Sequence, residues 1–282
     1  MRSTPTLAIP GFEVVQFLGS GARSTIWEVR DRLSEQAYAL KRVVKRNAAE
    51  ARYIEQAVNE HEIGSQLDHP AVRRVHRLLR VRRWLRLREV HVLMELCEGQ
   101  TVQQRRPESI DLTLRVFGRV ADALAYMNAR GFVHADTKPN NIIVSAAGGV
   151  KLIDLGQSCP LGTVKSRIQG TPDFISPEQI QRRPVDARTD VYNFGASLYW
   201  ALTGRPLPTV PLKDRPVTLK NARQFTPVEH YNPAAPPSLN RLVADCTEAH
   251  PTNRPSSMNE VGSRLGLILR QLARADSDEA DA

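Results

Sequence analysis

At 282 residues the chain is long enough for one large domain or two lobes with a substantial buried core. Its 41% hydrophobic and 24% charged residues exclude a disordered polymer, and no stretch reaches the roughly 18–20 unbroken apolar residues of a membrane span. The net charge of +9 favours acidic partners without bearing on fold. Cys97, Cys159 and Cys246 show neither a disulfide framework nor metal-ligand spacing, so a reducing cytoplasm is the expected location. The opening MRSTPTLAIPGFE carries one arginine and too short an apolar run for a signal peptide, and no solenoid repeat is present.

Residues 12–45 alternate strand-like runs with turn signals. Gly19-Ser20-Gly21 lies between FEVVQFLG and STIWEVRD, where a glycine turn lets backbone N–H groups approach phosphate oxygens. Ser24 stands at the third glycine of the G-x-G-x-x-G spacing. A further strand holds Tyr38-Ala39-Leu40-Lys41, and a helix is expected over 48–67. Gly64, near the end of that helix, costs about 1 kcal/mol relative to alanine and predicts a loosely held helix.

Residues 72–96 alternate apolar side chains with arginine, the pattern of two strands with one charged face. An ordinary solvated face is the simpler account. The functional alternative is a docking patch for an acidic partner across residues 73–88. Trp84 is the one aromatic interleaved there, so base stacking is poorly supported and no nucleic-acid partner is expected.

Leu112 to Arg130 has helical period and stops at Gly131, a C-cap signal. HADTKPNN follows over His134–Asn141, then NIIV and VKLIDLG as two short buried strands, then Asp154-Leu155-Gly156. Asp136 offers a carboxylate to accept a proton, Lys138 an ammonium for a transferring phosphate, and Asn141 and Asp154 oxygen ligands for a hard cation. That set suits phosphoryl transfer, in which an enzyme mostly positions reactants and neutralises charge. An apolar core helix is expected from Asp190 to about Leu202, proline-rich irregular chain with short helices over 205–237, and helical period from Leu239 to Leu272. The acidic end, ARADSDEADA, is expected to fray.

The ordered spacing D-x-K-P-x-N then D-x-G, behind a glycine turn and an A-L-K strand, resembles the protein kinase superfamily, in the style of bacterial serine/threonine kinases. The resemblance covers about residues 12–270 and implies an α+β, bilobal fold. A small β-rich N-lobe with one helix would span about 12–97 and a larger, mostly helical C-lobe about 98–270. Residues 1–11 and 271–282 would be flexible termini. It implies ATP and Mg²⁺ as cofactors and a protein serine or threonine hydroxyl as acceptor.

By the same resemblance Gly19 and Gly21 would cover the phosphates, with Ile26 over the adenine, Ala39 beside it and Ile143 beneath it. Lys41 would reach the α- and β-phosphates and pair with Glu60 rather than Glu62. Met94 would be the gatekeeper, followed by Glu95 and Cys97 in the connector to the adenine edge. Asp136 and Lys138 would be catalytic, and Asn141 and Asp154 would hold the metal. Residues 157–176 would be the activation loop, closing on G-T-P and S-P-E, with Glu178 paired to Arg254 and Asp190 holding the catalytic-loop backbone.

The chain departs from the family pattern at four places. Ala135 replaces the arginine that reads a loop phosphate, Leu155 replaces phenylalanine, and Ser24 and Gly64 stand as described above. Asn140 stands where kinases preferring basic peptides carry glutamate, so no preference for upstream arginine is expected. An active serine/threonine kinase is the leading reading. A catalytically weak kinase-like binding module and a small-molecule phosphotransferase are the alternatives.

Overall fold

Period-two alternation between residues 12 and 95 builds an antiparallel sheet. The computed structural model describes residues 9–21, 23–83, 86–207 and 226–280. Trp84 and most of the proline-rich stretch lie outside the described residues, as do residues 1–8, 281 and 282. The described chain divides into two compact units. The first runs to Glu98 and also takes in Asp154–Gly156; the second holds Gly99–Ile153 and the chain from Gln157 onward. The expectation placed Asp154 with the larger, later part of the chain. The triplet it opens instead packs with the first unit, through the contacts of Asp154, Leu155 and Gly156 described below.

The first unit consists of β1 (Phe12–Ser20), β2 (Ser24–Asp31), β3 (Ala37–Val44), α1 (Ala51–Gly64), β4 (Val75–Arg83) and β5 (Arg86–Glu95), with sheet order β1-β2-β3-β5-β4. All of its pairings are antiparallel. Alternation sorts the side chains between two faces. Trp27, Val29, Leu40 and Leu93 lie on one face, where Ile9 and Phe12 complete a buried cluster. On the other, Ile26 sits opposite Lys41 and Ala39 opposite Met94. Helix α1 is shorter than the expected 48–67, because Ala48–Glu50 forms a 3₁₀ turn capped by Asn47 and the helix ends at Gly64. Its buried residues Ile54, Ala57, Glu60, Ile63 and Gly64 share one face.

Gly64 overturns the expectation of a loose helix. A Cβ at this position would lie 2.4 Å from Val75 Cγ2 and 3.2 Å from Leu155 Cδ1. The missing side chain therefore lets α1 approach β4 closely, and the glycine tightens the packing it was expected to slacken. Gly64→Ala is expected to destabilise the protein by about 1–3 kcal/mol through overpacking, although alanine is the better helix former. Urea unfolding checks this, and an unchanged or raised midpoint would refute it.

The second unit contains β6 (Gln100–Thr101), α2 (Ile110–Ala129), β7 (Phe132–Val133), β8 (Ile142–Val144), β9 (Val150–Leu152) and β10 (Cys159–Pro160). Then come α3 (Pro177–Ile180), α4 (Ala187–Thr203), α5 (Val228–Tyr231), α6 (Pro237–Cys246) and α7 (Met258–Ala280). Ser109 caps α2, and Gly131, at φ +86°, follows its last turn in the left-handed conformation that ends helices. Helix α4 is buried over most of its length, as its apolar sequence predicts. Helix α7 runs on through the acidic stretch expected to fray. The alanines, Arg274 and Glu279 of that segment are strong helix formers, which offsets the unfavourable placing of acidic groups at a helix C-terminus. No described helix is long and apolar enough to cross a membrane.

Candidate active site

In the first unit, β3 presents Lys41 and α1 presents Glu60 to the same space. Lys41 Nζ donates to Glu60 Oε2 at 2.7 Å and to Asp154 Oδ1 at 3.0 Å. Glu60 is 1% exposed, whereas Glu62, one residue past its helical neighbour, faces solvent. Burial by itself would lower the Lys41 ammonium, but the charges of Asp154 and Glu60 outweigh it and hold the pKa above the ordinary lysine value. Asp154 has φ +63°, a left-handed conformation that is uncommon outside glycine. Leu155 beside it is buried, and Asn59 Nδ2 donates to Gly156 O at 3.5 Å, so α1 fastens the whole triplet.

Ile26 and Ala39 lie on the Lys41 face of the sheet. Gly19 pairs with Ile26 across the β1–β2 turn. The Gly21 N–H donates to Ser24 O at 2.9 Å, so this donor closes the turn itself. At the end of β5, Glu95 N donates to Arg74 O at 2.9 Å and Glu95 Oε2 accepts from Arg74 N at 3.0 Å. The Cys97 thiol lies 3.5 Å from Arg73 Nε.

In the second unit the loop between β7 and β8 concentrates polar groups around Asp136, which is 7% exposed. Lys138 Nζ donates to Asp136 Oδ2 at 2.7 Å. Asn141 Nδ2 donates to the Asp136 carbonyl at 2.9 Å, which directs the Asn141 amide and leaves its oxygen as the atom suited to a cation. Ile143 is buried in β8, opposite Lys151 and Thr101.

Two side chains left out of the set in the sequence reading touch this loop. Thr171 Oγ1 donates to Asp136 Oδ1 at 3.0 Å and accepts from Lys138 Nζ at 2.8 Å. The G-T-P spacing carried that signal, but nothing local tied Thr171 to Asp136. Gln179 Nε2 donates to Ala135 O at 2.7 Å and to Gln169 O at 3.3 Å, joining the loop to the segment ahead of Thr171. Ala135 has φ +62°, so its carbonyl is turned toward that amide.

Compared with known proteins, the chain matches the protein kinase domain over residues 12–264. The chain belongs to the protein kinase domain family. Among its relatives, a probable serine/threonine-protein kinase of Corynebacterium efficiens is 28% identical over 96% of this chain and 44% of its own length. One from Clostridium acetobutylicum is 30% identical over 67% of this chain and 30% of its own. The serine/threonine-protein kinase PknL of Mycobacterium tuberculosis is 29% identical over 91% and 65%, respectively. The chain thus spans less than half the length of the first two.

The kinase domain keeps its loop in place from below. Asp190, at the start of α4, accepts from His134 N at 3.0 Å and Ala135 N at 2.9 Å, while Asn128 Nδ2 donates to it at 2.9 Å. Burial pushes the Asp190 carboxyl above its ordinary value, and the His134 charge and these donors offset only part of that. Farther along, Arg254 Nη1 and Nη2 grip Glu178 at 2.8 and 2.9 Å, and Thr189 Oγ1 adds a third donor at 2.9 Å.

The donor chemistry fits a magnesium nucleotide. Among the described residues no group of three or more His, Cys, Asp or Glu could hold a metal. Mg²⁺ takes one or two protein oxygen ligands and completes its shell from water and phosphate. Asp154 supplies a carboxylate whose side chain is 42% exposed, and Asn141 an amide oxygen.

Proposed function

We propose that the chain transfers the γ-phosphate of Mg·ATP to serine or threonine hydroxyls of a protein substrate. The observation that carries this reading is the Asp136 carboxylate, fixed by Lys138 and Thr171 at hydrogen-bond distance. Bound Mg²⁺ would neutralise charge on the phosphates, with Asn141 and Asp154 as its protein ligands. Lys41, braced by Glu60, steadies the α- and β-phosphates. Gly19, Gly21, Ile26, Ala39, Glu95, Cys97 and Ile143 contact the nucleotide. Asp136 orients the acceptor hydroxyl and takes its proton as that oxygen bonds to the γ-phosphorus and the bond to the ADP oxygen breaks. Lys138 compensates negative charge on the phosphoryl group in flight.

Of the departures that favoured a weak binding module, Gly64 has a structural account in the close packing of α1 against Val75 and Leu155. The three cysteines are unpaired, which supports a cytoplasmic setting. An acidic partner at residues 73–88 rests only on the exposed Arg77, Arg80, Arg82 and Arg88.

Phosphate incorporation into a mixed Ser/Thr peptide pool, with Mg·ATP and purified protein, tests the reading. Lys41→Met is expected to lower kcat/KM by about 10²–10³-fold, as for removal of one preorganised electrostatic contact. Label moving to a sugar or antibiotic in preference to polypeptide would support the small-molecule alternative instead.

A further inference from the structure

The segment leading to Thr171 and the turn after α3 carry four cations: Lys165, Arg167, Arg182 and Arg183. Among the described residues none of the four is paired with a carboxylate, and Asp173 is the one acidic side chain between Gln157 and Ser176. The structure fastens three of them by hydrogen bonds. Arg182 Nη1 donates to Ser166 O at 3.3 Å, and Lys165 Nζ donates to Gln157 O at 2.7 Å. With its amide turned so that the oxygen faces Arg167, Gln169 accepts from Arg167 Nε and Nη2 at 2.9 and 3.1 Å. Gln169 is also the residue whose carbonyl Gln179 joins to Ala135, next to Asp136. These backbone and amide acceptors hold the cations without neutralising them. Arg182 and Arg183 are exposed, and Asn140, also exposed beside Asn141, adds no negative charge to the acceptor side.

Resting on the phosphotransfer reading above, we infer that the acceptor peptides are acidic, with aspartate or glutamate flanking the serine or threonine. Unneutralised cations on the segment that Gln179 ties to the Asp136 loop attract carboxylates and repel lysine and arginine. Holding a cation by backbone carbonyls also leaves it less entropy to lose when a carboxylate arrives.

The test is a peptide set with one Ser or Thr acceptor and flanks that are acidic, neutral or basic, run on the whole chain at low and high salt. The expected result is a kcat/KM about tenfold higher for acidic than for neutral flanks at low salt, shrinking as salt rises. The double variant R182E/R183E should lose that preference while keeping its rate on the neutral peptide and its melting temperature. Equal rates on acidic and neutral peptides, or a basic preference, would overturn the inference and leave phosphotransfer standing. An acidic preference unchanged in R182E/R183E would overturn the assignment to these arginines. Phosphorylation of no peptide at all would overturn both readings.

Discussion

Asp136→Asn is expected to lower kcat by about 10²–10⁴-fold, the usual worth of a positioned general base, with little change in the KM for ATP. The wild-type carboxylate accepts at both oxygens, from Lys138 and, at 3.5 Å, Asn141 at Oδ2 and from Thr171 at Oδ1. An asparagine keeps the shape but can accept at only one of those positions. Its NH₂ group would face either an ammonium or a hydroxyl that already donates, and it cannot take a proton from an incoming alcohol. Since Asn141 bonds chiefly to the main-chain carbonyl of residue 136, the loop should keep its path in the variant. Rapid-quench measurement of peptide phosphorylation, with circular dichroism to verify folding, separates chemistry from structure. A variant turning over near the wild-type rate would remove Asp136 from the mechanism.

Arg254→Ala should cost about 3–5 kcal/mol of stability, because it strands a buried carboxylate. Arg254 and Glu178 have side chains only 0% and 5% exposed, and the guanidinium also donates to the carbonyls of Arg188, Glu248 and Ala249. One substitution therefore leaves several acceptors unmatched. For a chain of this size the midpoint of thermal unfolding should fall by roughly 10 °C. Glu178→Gln should be milder, since an amide oxygen can still accept from Arg254.

The same pair predicts a pH dependence. Burial alone would raise the Glu178 carboxyl, but the Arg254 hydrogen bonds and charge more than offset it and hold the pKa below the ordinary glutamate value. A carboxyl depressed in the folded state contributes stability that is fully present above its unfolded pKa. That contribution is lost as pH falls through the folded value. Wild-type stability should thus decline below the ordinary carboxylate range, and Glu178→Gln should flatten that decline. Denaturant titrations between neutral pH and pH 3 measure both slopes; parallel slopes would rule out the pair as a source of acid sensitivity.

Most of the elements were legible in the residue order. Strands β1–β5 and helices α2 and α4 follow from period-two and 3.6-residue patterns, because each pattern is written in contiguous side chains that share one face. The relation of Asp136 to Asn141, and the turn at Gly131, are equally local. The effect of Gly64 is not legible within its helix, because the atoms that decide it belong to Val75 and Leu155.

Residue order by itself determined the chemistry on offer: a carboxylate, an ammonium and oxygen ligands at kinase spacing, with a lysine strand ahead of them. Only the tertiary structure decided which groups meet. It brought Thr171 onto Asp136 and set Gln179 against the carbonyl of Ala135. The physical reason is distance along the chain. Periodicity is fixed by neighbours a few residues apart, whereas a hydrogen bond between residues 35 or 44 positions apart exists only after the intervening chain has packed.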